Sequence, residues 1–96
     1  MISLEDCIAM CGLDADEVAA ITEHEHVPPI EAAAIASELM HCPDGPPRIR
    51  AMLVDDMRAA HARGDLGHAA GLLATLRRFL LEHPEAAVDP PPPVVH

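Results

Sequence analysis

The order of apolar and polar residues along the chain predicts helices, and no convincing β-strand alternation is present. Segments with helical signals are separated by Gly and Pro residues, which end or redirect helices. They predict a short N-terminal helix and four longer helices. The predicted starts lie near Ser3, Asp14, Pro29, Pro47 and Asp65, and the predicted ends near Gly12, His26, Cys42, Arg63 and the residue before Pro84.

Residues with known preferences at helix ends support these limits. Asp14 and Glu17 have the spacing of a capping box, and Pro29 suits the first turn of a helix. Gly64 and Asp65 suit a helix C-cap followed directly by an N-cap. Because the predicted loops are short, neighbouring helices should be antiparallel. The predicted fold is therefore all-α: a compact bundle of four antiparallel helices preceded by a short N-terminal helix.

The C-terminal segment differs from the rest of the chain in composition. It ends in PPPPVVH, a sequence that favours extended polyproline II structure and offers little to pack. We therefore predict a single helical domain over residues 1–84 and a disordered proline-rich tail over residues 85–96.

The last two predicted helices each have a broad apolar face. In the helix from Pro47 the face contains Ile49, Met52, Leu53, Met57 and Ala60, and in the helix after Asp65 it contains Leu66, Ala69, Leu72, Leu73, Leu76, Phe79 and Leu80, continued by His83. Asp56 falls within the first of these faces. We expect Asp56 to pair with an Arg or a backbone group, the alternative being a carboxylate ligand or an acid with a perturbed pKa.

Composition indicates that the protein associates with itself. Half of the 96 residues are hydrophobic, but Phe79 is the one aromatic residue. A chain of this length buries only ~60% of the surface of its unfolded state, so some apolar surface should meet another copy. We therefore predict a homodimer or a higher homo-oligomer.

The charge distribution narrows the possible partners. Residues 1–47 carry ten acidic residues and no Arg, whereas residues 48–96 carry six of each, giving a net charge of −10. An acidic half repels phosphate, so we expect no nucleic-acid partner, while a basic protein surface would be attracted.

The residue types present argue against an enzyme. The chain has no Lys, Asn, Gln, Trp or Tyr and only two Ser and two Thr, and no nucleophile with an adjacent base is apparent. The N-terminus lacks the basic region of a signal peptide, and no apolar run approaches the ~18 residues that a membrane span needs. We therefore expect a cytoplasmic protein without membrane segments and with free thiols.

Two short motifs in the N-terminal region carry weaker signals. Cys7 and Cys11 lie four residues apart and are expected to be core residues, with a soft-metal site for Cu(I) as the alternative. The stretch IAMCGLDADEVAAI resembles the helix-turn-helix of DNA-binding repressors, with Gly12 at the turn. We interpret it as a shared way to turn two helices, because the second helix lacks Arg and carries Asp14, Asp16, Glu17 and Glu23.

The sequence EHEH at residues 23–26 is the clearest candidate for a binding site. His24 and His26 point about 200° apart on a helix, so they cannot share one ion, whereas Glu23 and His26 lie on one face. Antiparallel packing should gather further His and acidic residues at the same pole. One interpretation is a site for zinc, iron, nickel or copper with Glu23, His26, His61 and His68 as its ligands, and the other is the polar end of a helix, where the helix dipole favours His.

These observations favour a small acidic, non-enzymatic helical protein that acts as a protein-interaction or regulatory module and self-associates. The alternative is a small protein that stores, senses or delivers a transition metal through the His/Glu cluster.

Overall fold

A computed structural model of the chain describes residues 12–87. This part of the protein is all-α, as predicted, and contains no strand. Its elements are α1 (Ala15–Glu25), α2 (Pro29–Met40), α3 (Gly45–Ala62), α4 (Leu66–Glu82) and a short 3-10 helix (Pro84–Ala87). The predicted N-terminal helix, with Cys7 and Cys11, lies outside the described residues.

The start of α1 is the predicted capping box. The Glu17 backbone N–H donates to Asp14 Oδ1 at 2.9 Å, and the Asp14 N–H donates to Glu17 Oε1 at 3.0 Å. These reciprocal bonds satisfy two backbone donors that a helix start leaves without partners. Glu17 is therefore fixed at the first turn of α1.

The junction between α1 and α2 is a sharp change of backbone direction. His26 follows α1 in the left-handed conformation, with φ 57° and ψ 44°, and its N–H donates to the Thr22 carbonyl at 3.0 Å. Pro28 is extended and Pro29 opens α2, where a missing N–H costs no hydrogen bond. The predicted limits at His26 and Pro29 are confirmed.

The start of α3 differs from the prediction. The helix begins at Gly45 rather than near Pro47, because Pro46 and Pro47 occupy its first turn, where no backbone donor is required. Gly45 is needed at this point, since a Cβ atom there would lie 1.5 Å from the Leu39 carbonyl oxygen. The short loop thus brings the end of α2 against the start of α3.

The junction between α3 and α4 has the predicted caps. Gly64 has a φ of 79°, and the next residue, Asp65, donates its N–H to the Ala60 carbonyl at 2.9 Å. The Asp65 side chain accepts from the His68 N–H at 3.2 Å. This turn fixes His68 in the first turn of α4.

The core lies around α3, which packs on every other described helix and most extensively on α4. Phe79, Ile21, Ile49 and Leu53 are its largest fully buried apolar side chains. The buried residues of α2 are alanines alone, which permit a short distance between helix axes: Ala32, Ala33 and Ala36.

Two ion-paired regions define the relative direction of α1 and α4. Glu23, near the end of α1, contacts His68 at the start of α4, and Asp14, before α1, pairs with Arg78 near the end of α4. The two helices therefore run in opposite directions. The antiparallel arrangement of all four helices stays a prediction.

Two expectations about the C-terminal half require correction. Leu66, assigned to the apolar face of α4, is 62% exposed, since it is the first residue of the helix and directly follows the exposed turn at Gly64 and Asp65. Packing also continues past the predicted boundary at Glu85, since Ala86 in the 3-10 helix is fully buried against α3 and α4. Residues 88–96 lie outside the described residues, and for them the disordered tail stays a prediction.

Candidate functional site

Two of the four predicted metal ligands are in contact at one pole of the protein, where the end of α1 lies beside the start of α4. His68 Nε2 lies 2.9 Å from Glu23 Oε1 and 3.0 Å from Glu23 Oε2. Arg63 Nη2 lies 3.9 Å from the same carboxylate. This pole can hold a protonated imidazole or, with further ligands, a cation.

The other two predicted ligands, His26 and His61, are exposed. In the part of the chain from residue 12 to residue 87, neither forms a hydrogen bond or ion pair with Glu23 or His68. His26 caps α1, whereas His61 lies on α3 beside a groove. The four-residue metal site therefore stays a prediction, with two of its members adjacent.

The backbone of His26 leads to a stability prediction. A non-glycine residue in the left-handed region is strained, and glycine is the usual residue at this helix-end position. We expect His26→Gly to raise the free energy of unfolding by about 1 kcal/mol. Urea denaturation followed by circular dichroism measures it. His41→Gly is the matched control, because His41 ends α2 with a φ of −93° and should gain nothing. Destabilisation by His26→Gly would show that its side chain has a structural role.

Arg78 links the opposite ends of α1 and α4. Its Nε lies 2.8 Å from Asp14 Oδ2, and its Nη2 lies 3.3 Å from Asp16 Oδ2. Partial burial alone would raise the pKa of Asp14, but the hydrogen bond from the Glu17 backbone and the Arg78 guanidinium hold that pKa below its ordinary value. The first turn of α1 is thus attached to α4 by charge as well as by packing.

A second cluster of possible ligands lies where α1 starts and α4 ends. One ligand atom each from Glu17, Glu82 and His83 lies within 4.8 Å of the other two. Glu17 is fully buried, His83 half-buried and Glu82 exposed. Glu17 Oε2 is buried and has no hydrogen-bond partner among the described residues.

Burial determines the protonation of Glu17. The loss of solvent raises its pKa from 4.5 to about 7, and the charges of Asp14 and Glu82 add to this shift. The hydrogen bond from the Asp14 backbone opposes it. Glu17 is therefore an acid that changes charge near neutral pH.

His83 is held between an aromatic ring and a carboxylate. Its ring centroid lies 4.9 Å from that of Phe79, and its Nδ1 lies 3.5 Å from Glu85 Oε1. The imidazole is therefore oriented by packing on one side and by an acidic residue on the other. The prediction that His83 continues the apolar face of α4 fits this contact with Phe79.

Asp56 is buried in the apolar face of α3, and the pairing expected for it is incomplete. The residue is 6% exposed, and its Oδ2 has no hydrogen-bond partner within residues 12–87. Burial raises its pKa from 3.8 to about 6, and Glu23 and Asp55 add to the rise. His24 and His68 act against it. The alternative prediction of an acid with a perturbed pKa is the one that the geometry favours.

Grooves lie on both sides of α4. The groove shared with α3 has a volume of about 440 Å³ and is mainly apolar, with Met57, Ala69, Ala70 and Leu73 in its wall and Arg58 and His61 beside them. The groove shared with α1 has a volume of about 380 Å³ and is bordered by acidic residues, Asp16 and Glu23. The outward side of α4 therefore lies between a basic edge, formed by Arg58 and His61, and an acidic edge, formed by Asp16 and Glu23.

The Glu17–Glu82–His83 cluster was not predicted from the sequence. The capping motif explains Glu17 without reference to any ligand, and no spacing rule joins it to residues near the end of α4. The one available signal was His83, which stands just beyond the last turn of an apolar helix face. Only the packing of α1 on α4 brings the three side chains together.

Comparisons of the chain with protein-family models, with curated proteins and with solved structures returned no match. Among the helices from residue 12 to residue 87, none combines the length and the apolar character needed to cross a membrane.

Proposed function

We propose that the protein is a non-enzymatic helical interaction module that self-associates, and that two copies meet through the outer face of α4. This face is defined by four small exposed residues: Gly67, Ala70, Gly71 and Ala74. They recur three and four positions apart, so they form one stripe along the helix. The exposure of this stripe is the observation that carries the proposal.

The two glycines of the stripe have no explanation within one protomer. Both lie inside a helix, where glycine costs about 1 kcal/mol relative to alanine. A Cβ atom at either position would meet nothing within 4 Å among the described residues. Contact with a second helix supplies a reason, because small residues let two helices approach closely.

Apolar surface flanks the stripe. Leu66 is 62% exposed and Leu81 is 84% exposed, and the groove shared with α3 adds Met57 and Leu73. Exposed large apolar residues beside a stripe of small residues favour an interface between proteins. A second copy is the proposed occupant, in line with the high apolar content of so short a chain.

Charge favours one orientation of the two copies. The acidic edge on the α1 side contains Asp16 and Glu23, and the edge on the α3 side contains Arg58 and His61. In a symmetric dimer with parallel α4 helices, the two-fold axis runs along the helices and each acidic edge faces the partner's basic edge. Antiparallel α4 helices would bring like edges together, so we propose the parallel arrangement.

Two finer features belong to this proposal. The four helices form an antiparallel bundle, which the opposed directions of α1 and α4 support. The module works in the cytoplasm, and the acidic residues of α1 are the surface that would attract a basic protein as a further partner.

The interface leads to a prediction for Ala74→Glu. The substitution places a charge in the middle of the proposed contact, where it would lose water without gaining a partner. Because Ala74 is exposed in one protomer, the stability of the monomer should change by no more than about 0.5 kcal/mol. We expect at least a tenfold weaker self-association, measured by sedimentation equilibrium over a range of concentrations.

Ala34→Glu on α2 is the matched control, since Ala34 is also exposed and the change in net charge is identical. It should associate as the wild-type chain does. A wild-type chain that is monomeric at high concentration, or equal weakening by both variants, would contradict the proposed interface.

Transition-metal binding at the pole is the second candidate function, favoured by the contact of 2.9 Å between Glu23 and His68. It requires the exposed His26 and His61 to move toward that pair. A Glu23→Gln variant tests it directly, because the substitution removes the anionic ligand and keeps the shape of the side chain.

A further inference from the structure

We propose a second, previously unpredicted metal site, in which Glu17, Glu82 and His83 bind a divalent first-row transition metal of the zinc type. The site lies within one protomer, away from the pole that contains Glu23 and His68. It does not depend on self-association.

The distances suit one small cation. The ligand atoms of the three residues lie within 4.8 Å of one another. Bonds of about 2.1 Å in tetrahedral geometry place two ligands on one zinc ion about 3.4 Å apart. The ligand atoms must therefore approach one another by up to about 1.4 Å, and the exposed Glu82 at the end of α4 is the side chain that can make most of this movement.

Glu17 provides an independent indication of a ligand. Its side chain is fully buried, and its Oε1 is occupied by the hydrogen bond from the Asp14 N–H. Its Oε2 is buried without a partner in the described part of the chain. A buried carboxylate oxygen normally has a hydrogen bond or a cation, and the neighbouring Glu82 and His83 point to a cation.

The donor set determines the class of metal. Two carboxylates and one imidazole suit zinc and its neighbours, whereas magnesium and calcium prefer oxygen ligands alone. Glu85, whose Oε1 lies 3.5 Å from His83 Nδ1, is placed to orient the imidazole as a carboxylate does in many metal sites. Three protein ligands leave one position open for water.

The position of the site gives it a structural consequence. Glu17 belongs to the first turn of α1, and Glu82 and His83 lie at the end of α4. A metal would therefore connect two helix ends that are distant in sequence and already attached through Arg78 and Asp14. Because the folded state binds the ion and the unfolded chain lacks the arrangement, bound metal should raise the melting temperature.

Calorimetric titration of the metal-free full-length protein with zinc chloride, in buffer containing millimolar magnesium, tests the site. We expect one zinc per chain and a higher melting temperature in the presence of zinc. Glu17→Gln keeps the capping box, because glutamine serves in the same position, and removes the anionic ligand. Glu17→Gln and His83→Gln should each weaken zinc binding at least tenfold, as even an outer-shell change commonly does.

Glu38→Gln is the control, because it removes an exposed carboxylate on α2. It should bind zinc as the wild-type chain does. Glu23→Gln separates the two candidate sites. Unchanged zinc affinity in Glu23→Gln, together with loss of zinc binding in Glu17→Gln, supports the new site. Loss of zinc binding in Glu23→Gln with zinc binding retained in Glu17→Gln would overturn the proposal in favour of the pole, and so would the absence of stoichiometric zinc binding by the wild-type chain. A normal circular dichroism spectrum of Glu17→Gln would show that the variant is folded, which separates loss of the ligand from loss of the fold.

Discussion

Replacing Phe79 with alanine is expected to lower the free energy of unfolding by about 3–5 kcal/mol. Phe79 is fully buried and is the largest apolar side chain in the core. Phe79 is the one Phe, Tyr or Trp residue in the chain, and the His83 ring, whose centroid lies 4.9 Å from that of Phe79, would lose its packing partner. Most of the surrounding core residues are aliphatic and small, so collapse around the cavity should be incomplete.

The size of this effect matters because small domains are stable by only about 5–15 kcal/mol. Equilibrium unfolding in urea, followed by circular dichroism, would measure the change. Ile30→Ala on α2 is the control: Ile30 is 53% exposed and lies outside the proposed contact between copies, so its truncation should change stability by no more than about 0.5 kcal/mol. A cost below about 1 kcal/mol for Phe79→Ala would contradict the packing of α4 against α3.

The metal-free protein is expected to become less stable as the pH rises from about 4 to about 7. Glu17 has a pKa of about 7 and Asp56 a pKa of about 6 in the folded chain, against ordinary values of 4.5 and 3.8. Burial is the main cause of both shifts. The folded state therefore binds protons more tightly than the unfolded state, and protonation stabilises it.

These pKa values determine the direction of the change in stability and the pH range over which it occurs. The stabilisation is complete below the unfolded pKa values and is lost as the pH rises through about 6 for Asp56 and about 7 for Glu17. Each pKa unit corresponds to about 1.4 kcal/mol, so each residue contributes on the order of 1–3 kcal/mol across its range. Charges beside Glu17 come from Asp14, Glu82 and the neighbouring His83, and those acting on Asp56 come from Glu23, His24, Asp55 and His68.

Urea unfolding in a chelating buffer at pH 5, 6, 7 and 8 would measure this dependence. Glu17→Gln and Asp56→Asn should each flatten part of the curve and should be more stable than the wild-type chain at pH 8, because neither amide has to be buried as a charge. Glu38→Gln, on the surface of α2, should leave the curve unchanged. Higher stability of the wild-type chain at pH 8 than at pH 5 would show that these two acids are not the dominant titrating groups.

Helix ends are the part of the fold that the sequence predicted best. The capping box of Asp14 and Glu17, the start at Pro29 and the caps at Gly64 and Asp65 all occur where the sequence placed them. Each of these signals depends on backbone donors and acceptors within one helical turn, so each can be read locally. The start of α3 was placed two residues late, because Pro46 and Pro47 occupy its first turn and Gly45, which opens it, approaches Leu39 on another helix.

The candidate sites were predicted less completely. The contact between Glu23 and His68 follows from short loops and opposed helices, so the sequence could suggest it. The positions of His26 and His61 depend on the orientation of exposed side chains, which no spacing rule determines. Helical periodicity places Leu66 on the apolar face of α4, but it does not show which part of that face another helix covers. The exposure of Leu66 is therefore decided by the tertiary structure.

The sequence by itself determined an all-α protein, an acidic N-terminal half, most of the helix boundaries and a core that contains a single aromatic residue. Only the tertiary structure decided which polar groups became buried, because burial depends on how helices pack and not on the residues beside a group in the chain. It buried Glu17 and Asp56 and brought Glu82 and His83 to Glu17. A capping residue thereby became a candidate metal ligand, since its second carboxylate oxygen is buried without a partner and two residues more than sixty positions away, Glu82 and His83, lie beside it.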